Sequence, residues 1–149
     1  MSHTPFIEYI KEDQYEDRVL KSDLPVVLDF FSTECPPCEA LAVKFEPLSE
    51  IYGQEIRFIK IFRQENRSLA EHLNVRSSPT LLFYRDGKEA AERLNGAIRK
   101  AALIDRLHSL LSPEKVEGAI IRRMCLRTRT VCLIAADCVL AAFFHVVGW

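Results

Sequence analysis

A large net charge is missing from this chain of 149 residues: 20 basic and 21 acidic side chains leave −1. No global field pulls it toward nucleic acid or an anionic membrane. A second close pair of cysteines is also missing. Of five cysteines only Cys35 and Cys38 are near neighbours, while Cys125, Cys132 and Cys138 are scattered toward the C-terminus. An odd count does not make a disulfide framework, and half a zinc site lacks the other half it needs. Met1-Ser2-His3-Thr4-Pro5 has neither a basic nor an apolar leader region, so no secretory signal is expected. These absences point to a reducing cytosol, where a paired cysteine motif is usually catalytic. Internal repeats and low-complexity segments are absent as well.

Present instead is an ordinary globular balance, 48% hydrophobic and 28% charged, in a chain long enough for one domain with a real core. The charge is uneven: residues 113–149 carry +2, which leaves −3 for residues 1–112. We therefore expect a domain over residues 1–112 and an extension over 113–149 that is first basic and then apolar.

The pattern along the chain predicts a short strand over Phe6–Ile10 and a helix capped by Asp13 and running to about Leu20. Val26–Phe31, apolar except for Asp29, reads as a central strand covered on both faces. A helix follows Cys35 to about Tyr52, with Pro47 inside it and Gly53 ending it. Ile56–Phe62 is a strand, Ser68–Leu73 a short helix capped by Asn66, and Leu81–Tyr84 a strand. Asp86-Gly87 is a turn, so Glu89–Leu94 should pair antiparallel with the strand before it. Arg99–Leu111 is the last helix, stopped by Ser112-Pro113. This order implies an α/β fold, a mixed sheet of four to five strands with helices on both faces.

Cys35-Pro36-Pro37-Cys38 carries the chemistry. It directly follows the strand-like run, at the start of a helix. A helix N-terminus favours negative charge and so favours a thiolate at Cys35. Dithiol redox chemistry is the reading that this context supports.

Residues 6–112 resemble the thioredoxin family. Val27-Leu28-Asp29-Phe30-Phe31 looks like the strand before its active site. Cys35-Pro36-Pro37-Cys38 has its cysteine spacing and its proline before the second cysteine. Ser78-Pro79-Thr80 is similar to its cis-proline loop, Asp86-Gly87-Lys88 to its hairpin turn and Gly96 to its late glycine. The resemblance implies the thioredoxin fold and a thiol–disulfide oxidoreductase that reduces protein disulfides. In that role Cys35 is the nucleophile and Cys38 the resolving thiol. Asp29 is a buried carboxylate that takes a proton from Cys38 through water, and Lys60 is its neighbouring cation. The substrate rim is Glu34, Pro37, Ser78 and a cis Pro79, whose backbone edge can pair with an extended peptide. The implied partners are disulfide-containing proteins and a thioredoxin-reductase-like electron donor, with no bound cofactor and no nucleic acid. A more oxidising oxidase or isomerase, and a non-catalytic adaptor, are the alternatives.

The chain departs from that pattern in four places. Glu34 stands where the family commonly has tryptophan, and with Glu39 it makes the rim acidic. A carboxylate there opposes the thiolate and favours basic partners; a freely solvated charge would do neither. Pro36 replaces a glycine and removes a backbone donor. Val43 stands where the helix-kinking proline is usual, with Pro47 about one turn later. Beyond the domain, Val131–Trp149 is an apolar run interrupted by Asp137 and His145 and preceded by arginines. Its expected roles are packing or oligomerisation with a second copy, or contact with a membrane against the cost of Asp137. Cys125, Cys132 and Cys138 read as small apolar residues.

Overall fold

The computed structural model describes residues 6–112, 115–118 and 120–121. The apolar run 131–149 and Cys125, Cys132 and Cys138 lie outside the described residues. Strands β1 (Ile7–Ile10), β2 (Val26–Phe31), β3 (Arg57–Phe62), β4 (Thr80–Arg85) and β5 (Lys88–Asn95) alternate with helices α1 (Pro36–Tyr52), α2 (Arg67–His72) and α3 (Lys100–Leu110). They form one mixed sheet in the order β1-β3-β2-β4-β5. β1, β3 and β2 run parallel, whereas β4 and β5 are antiparallel.

β2 lies at the centre because it is apolar on both faces: Val26, Val27, Leu28 and Phe30 are at most 1% exposed. Its side chains alternate between two cores. Val27 joins Phe58, Leu81 and Phe83 beneath α1 and α3. Leu28 and Phe30 join Ile59, Ile61 and Leu82 on the opposite face, which α2 and the segment after β1 cover. Asp29 shares the parity of Val27, and Lys60 that of Phe58, so both point toward α1.

The segment after β1 differs from expectation. It is a 3-10 turn, Glu12–Gln14, followed by a π-helical turn, Glu16–Leu20. Asp13 lies inside the first turn and caps nothing. Gln14 instead takes the Lys11 backbone N–H at 3.2 Å, and Val19 and Tyr15 anchor the segment in the core. Asn66 occupies the position before α2 but does not cap it. Its side chain donates to the Phe62 carbonyl at 2.8 Å and accepts from the Glu12 N–H at 2.8 Å. The orphan amide of Leu69 goes to the Glu12 carboxylate at 3.4 Å. Two partners distant in sequence thus exchange the capping roles that local spacing assigned to one residue.

Gly53 does end α1, though not in a left-handed conformation, since its φ is −64°. A Cβ there would lie 2.6 Å from the Phe6 ring, so lack of space requires the glycine. In the hairpin, Asp86 and Gly87 have φ of 52° and 71°. Two consecutive positive φ values are the signature of a tight turn between twisted antiparallel strands. Among the described residues, no helix is long and apolar enough to cross a membrane.

Candidate active site

Cys35 is the N-cap of α1, and Pro36, Pro37 and Cys38 are its first three residues. The first N–H groups of a helix have no intrahelical partner, so proline loses nothing at the first of these positions. The first donor left is the Cys38 N–H. It points at Cys35 Sγ, 3.3 Å away, and at the Cys35 carbonyl at 2.9 Å. The loss of donors expected from Pro36 therefore leaves one amide aimed at the sulfur. The two cysteines are joined as a disulfide, with Cα atoms 5.2 Å apart, and are equally buried at 9% exposure.

The cis-proline loop closes over this pair. Ser78-Pro79 is a cis peptide. The Ser78 carbonyl oxygen lies 3.5 Å from Cys35 Sγ. Thr80 Oγ1 donates to the Ser77 carbonyl at 2.8 Å, and the Gly96 N–H donates to the Pro79 carbonyl at 3.1 Å. The loop is thereby held from both sides. Pro79 is buried, Ser78 and Pro37 are half-buried, and Glu34 is exposed. Glu34 also has φ of 51°, a left-handed conformation that a side chain with a Cβ rarely takes.

On the face of the sheet that α1 covers, Asp29 and Lys60 are register partners on β2 and β3. Asp29 is 2% exposed, and its Oδ2 lies 3.8 Å from Lys60 Nζ. That is ion-pair range but beyond a hydrogen bond. Asp29 Oδ1 has no hydrogen-bond partner among the described residues. Burial pushes the Asp29 carboxyl up to about 7, and Lys60 restrains the rise. The ammonium is itself boxed by rings, 5.4 Å from Phe31, 5.7 Å from Phe45 and 5.9 Å from Tyr9. These are cation–π distances, which help hold the charge where water is scarce. Cys38, Leu41 and Phe45 lie on one buried face of α1. The Phe45 ring near Lys60 shows that this face covers the Asp29–Lys60 pair.

The structure places Cys35, Cys38, Pro37 and Glu34 at or beside the head of α1, Ser78 and Pro79 in the loop whose carbonyl meets Cys35 Sγ, and Asp29 and Lys60 side by side on β2 and β3. One residue was missed. Arg63 comes directly after β3, and its Nε donates to Ser78 Oγ at 3.0 Å. The available signal was topological: β3 runs parallel to β2, so the residues beyond its C-terminal end emerge beside the dithiol.

The thioredoxin family model matches residues 6–109. Over 105 residues the chain is 36% identical to a thioredoxin of Acidithiobacillus ferridurans, covering 70% of this chain and 96% of that one. It is 33% identical over 107 residues to the chloroplastic M-type thioredoxin of Spinacia oleracea, covering 72% of this chain but only 59% of that protein. Among solved structures, a Malassezia sympodialis thioredoxin superposes with a TM-score of 0.63 at 27% identity, over 70% of this chain and 90% of that one. The chain belongs to the thioredoxin family of thiol–disulfide oxidoreductases. Its fold is the thioredoxin fold, with a five-stranded mixed sheet.

Proposed function

We propose that this chain reduces protein disulfides by exchange through Cys35 and Cys38. The observation that carries this reading is the dithiol pair at a helix N-terminus with the Ser78 carbonyl 3.5 Å from Cys35 Sγ. A substrate strand lying along that loop would bring its disulfide onto Cys35.

Two displacements account for the electrons. The Cys35 thiolate attacks one substrate sulfur, forming a mixed disulfide and expelling the other sulfur as a thiolate. Cys38 then loses its proton and attacks Cys35 Sγ, which forms the Cys35–Cys38 disulfide and releases the second substrate thiolate. The substrate gains two electrons and the protein loses them. Cys38 must be deprotonated in the second step. Asp29, with its orphan oxygen and raised pKa, supports a proton acceptor working near neutral pH through a bridging water. Lys60 keeps that carboxylate from being permanently protonated. Glu34 and Pro37 form the rim against which the substrate rests.

A thioredoxin-reductase-like donor returns the electrons, and no bound cofactor is needed. Scattered Cys125, Cys132 and Cys138 suit a reducing, cytoplasmic setting. Residues 131–149 offer an apolar segment for a second copy or a membrane surface.

The test is reduction of a model protein disulfide by the full chain. Wild type turns over and Cys35→Ser does not; equal turnover by both would sink the reading. Titration against glutathione then fixes direction. A reductant equilibrates below the glutathione potential, and a value above it makes the protein an oxidant or isomerase.

A further inference from the structure

Arg63 touches the docking edge yet has no part in thiol exchange. Its backbone N–H donates to the Phe31 carbonyl at 2.9 Å, which fixes it beside the end of β2. Its Nε holds Ser78 Oγ at 3.0 Å, and Nη1 reaches the Arg76 carbonyl at 3.5 Å. Arg63 also lines a cavity of about 200 Å³ with Arg67 and Glu71, and an adjoining one of about 350 Å³ with Arg76 and Glu71. Buried Ala70 and Val75 line both. The two share Arg63, Ala70, Glu71 and Val75 and so form one cleft, a largely polar one with three guanidinium groups and a single carboxylate.

The charges in this cleft do not neutralise each other. Among the described residues none of the three arginines makes an ion pair. Gln64 Nε2 donates to Thr33 Oγ1 at 3.3 Å and so ties the segment after β3 to the loop before Cys35; the Glu34 of that loop is in none of the ion pairs among the described residues. A guanidinium with donors to spare is a planar fork that fits a carboxylate. Methylene groups of an incoming glutamate would lie on Ala70 and Val75.

We propose that this cleft receives an acidic side chain of the disulfide substrate, in the extended segment that carries the reacting cysteine, with Arg63 and Arg76 holding its carboxylate. The inference rests on Cys35 as the site of exchange and adds the substrate's chemistry. Ser78 links the two sites: its carbonyl faces Cys35 Sγ and its hydroxyl is held by Arg63. An extended chain advances about 3.3 Å per residue, so the acid belongs roughly two or three residues from the substrate cysteine.

The test uses the full chain, fully reduced, against three peptides that each carry one cysteine in a disulfide with a chromophoric aromatic thiol. They differ only in glutamate, serine or lysine two and three residues from that cysteine. The glutamate peptide is expected to react about tenfold faster than the serine peptide at low salt, and the gap should close in 0.5 M NaCl, where screening is strong (Debye length on the order of 4 Å). In the Arg63→Gln/Arg76→Gln variant the glutamate peptide falls to the serine rate, whereas Arg63→Lys, which keeps the charge, retains part of the preference. Equal rates for all three peptides, a faster lysine peptide, or an undiminished preference in the double variant would overturn the proposal. If wild type reacts with none of them, the exchange reading itself fails.

Discussion

Asp29 sits at an energetic disadvantage that function can use. A carboxyl buried at 2% exposure has its pKa pushed up to about 7 from an ordinary 3.8. Between those values the folded state binds a proton that the unfolded state lacks. The stabilisation from this group is therefore full below about pH 3.8 and is lost as pH rises toward 7. Urea denaturation across that range should show stability falling with pH more steeply in wild type than in Asp29→Asn. The same variant should slow release of the mixed disulfide by about a hundredfold, the lower range for removing a general base, and flatten its pH dependence near 7. Single-turnover kinetics with a slowly released substrate read both. Lys60→Met should move that pH dependence upward, because the cation that restrains the Asp29 rise is gone. Glu34 supplies a separate prediction. Its φ of 51° costs a side chain on the order of 1 kcal/mol, a strain that glycine avoids. Glu34→Gly should raise the urea midpoint by a corresponding amount.

At the scale of elements, the site depends on how α1 and the loop before α2 are pinned. Phe45 is fully buried, meets Phe58 edge-on at 5.0 Å and borders Lys60. Phe45→Ala should cost about 3–5 kcal/mol and loosen the cover over Asp29. Asn66 is a more local pin: it joins the Glu12 amide to the Phe62 carbonyl and is 4% exposed. Asn66→Ala removes two part-buried hydrogen bonds, each worth about 0.5–1.5 kcal/mol, and should cost about 1–3 kcal/mol by denaturant titration. These elements also show where sequence reading succeeds. β2, β3, β4 and α1 were legible because burial on two faces or one helical face writes a regular apolar pattern. The turns after β1 were not, because a single Val19 and Tyr15 reaching the core outweigh the local helix signal at Asp13. Likewise Asn66 was legible as a polar boundary residue, but its partners lie across the fold.

At the scale of the whole molecule, the buried residues of both core clusters lie between Ile10 and Leu111 among the described residues, with Leu103, Leu107 and Leu110 of α3 fully buried. Among the described residues beyond Ser112, Val116 packs on that core. A chain ended at Ser112 should keep its far-UV circular dichroism and its disulfide reductase activity. Loss of either would make the extension part of the domain.

The chemistry was legible along the chain. Two cysteines at that spacing, a strand carrying Asp29 before them and a proline loop downstream are local patterns, and local patterns survive in one dimension. Tertiary structure alone decided the surroundings of the dithiol. It set Lys60 among three aromatic rings, brought Ser78 to within 3.5 Å of Cys35 Sγ, and placed Arg63 on the other side of the same serine. Those contacts join strands and loops whose adjacency comes from sheet order and register. No spacing along the chain encodes them.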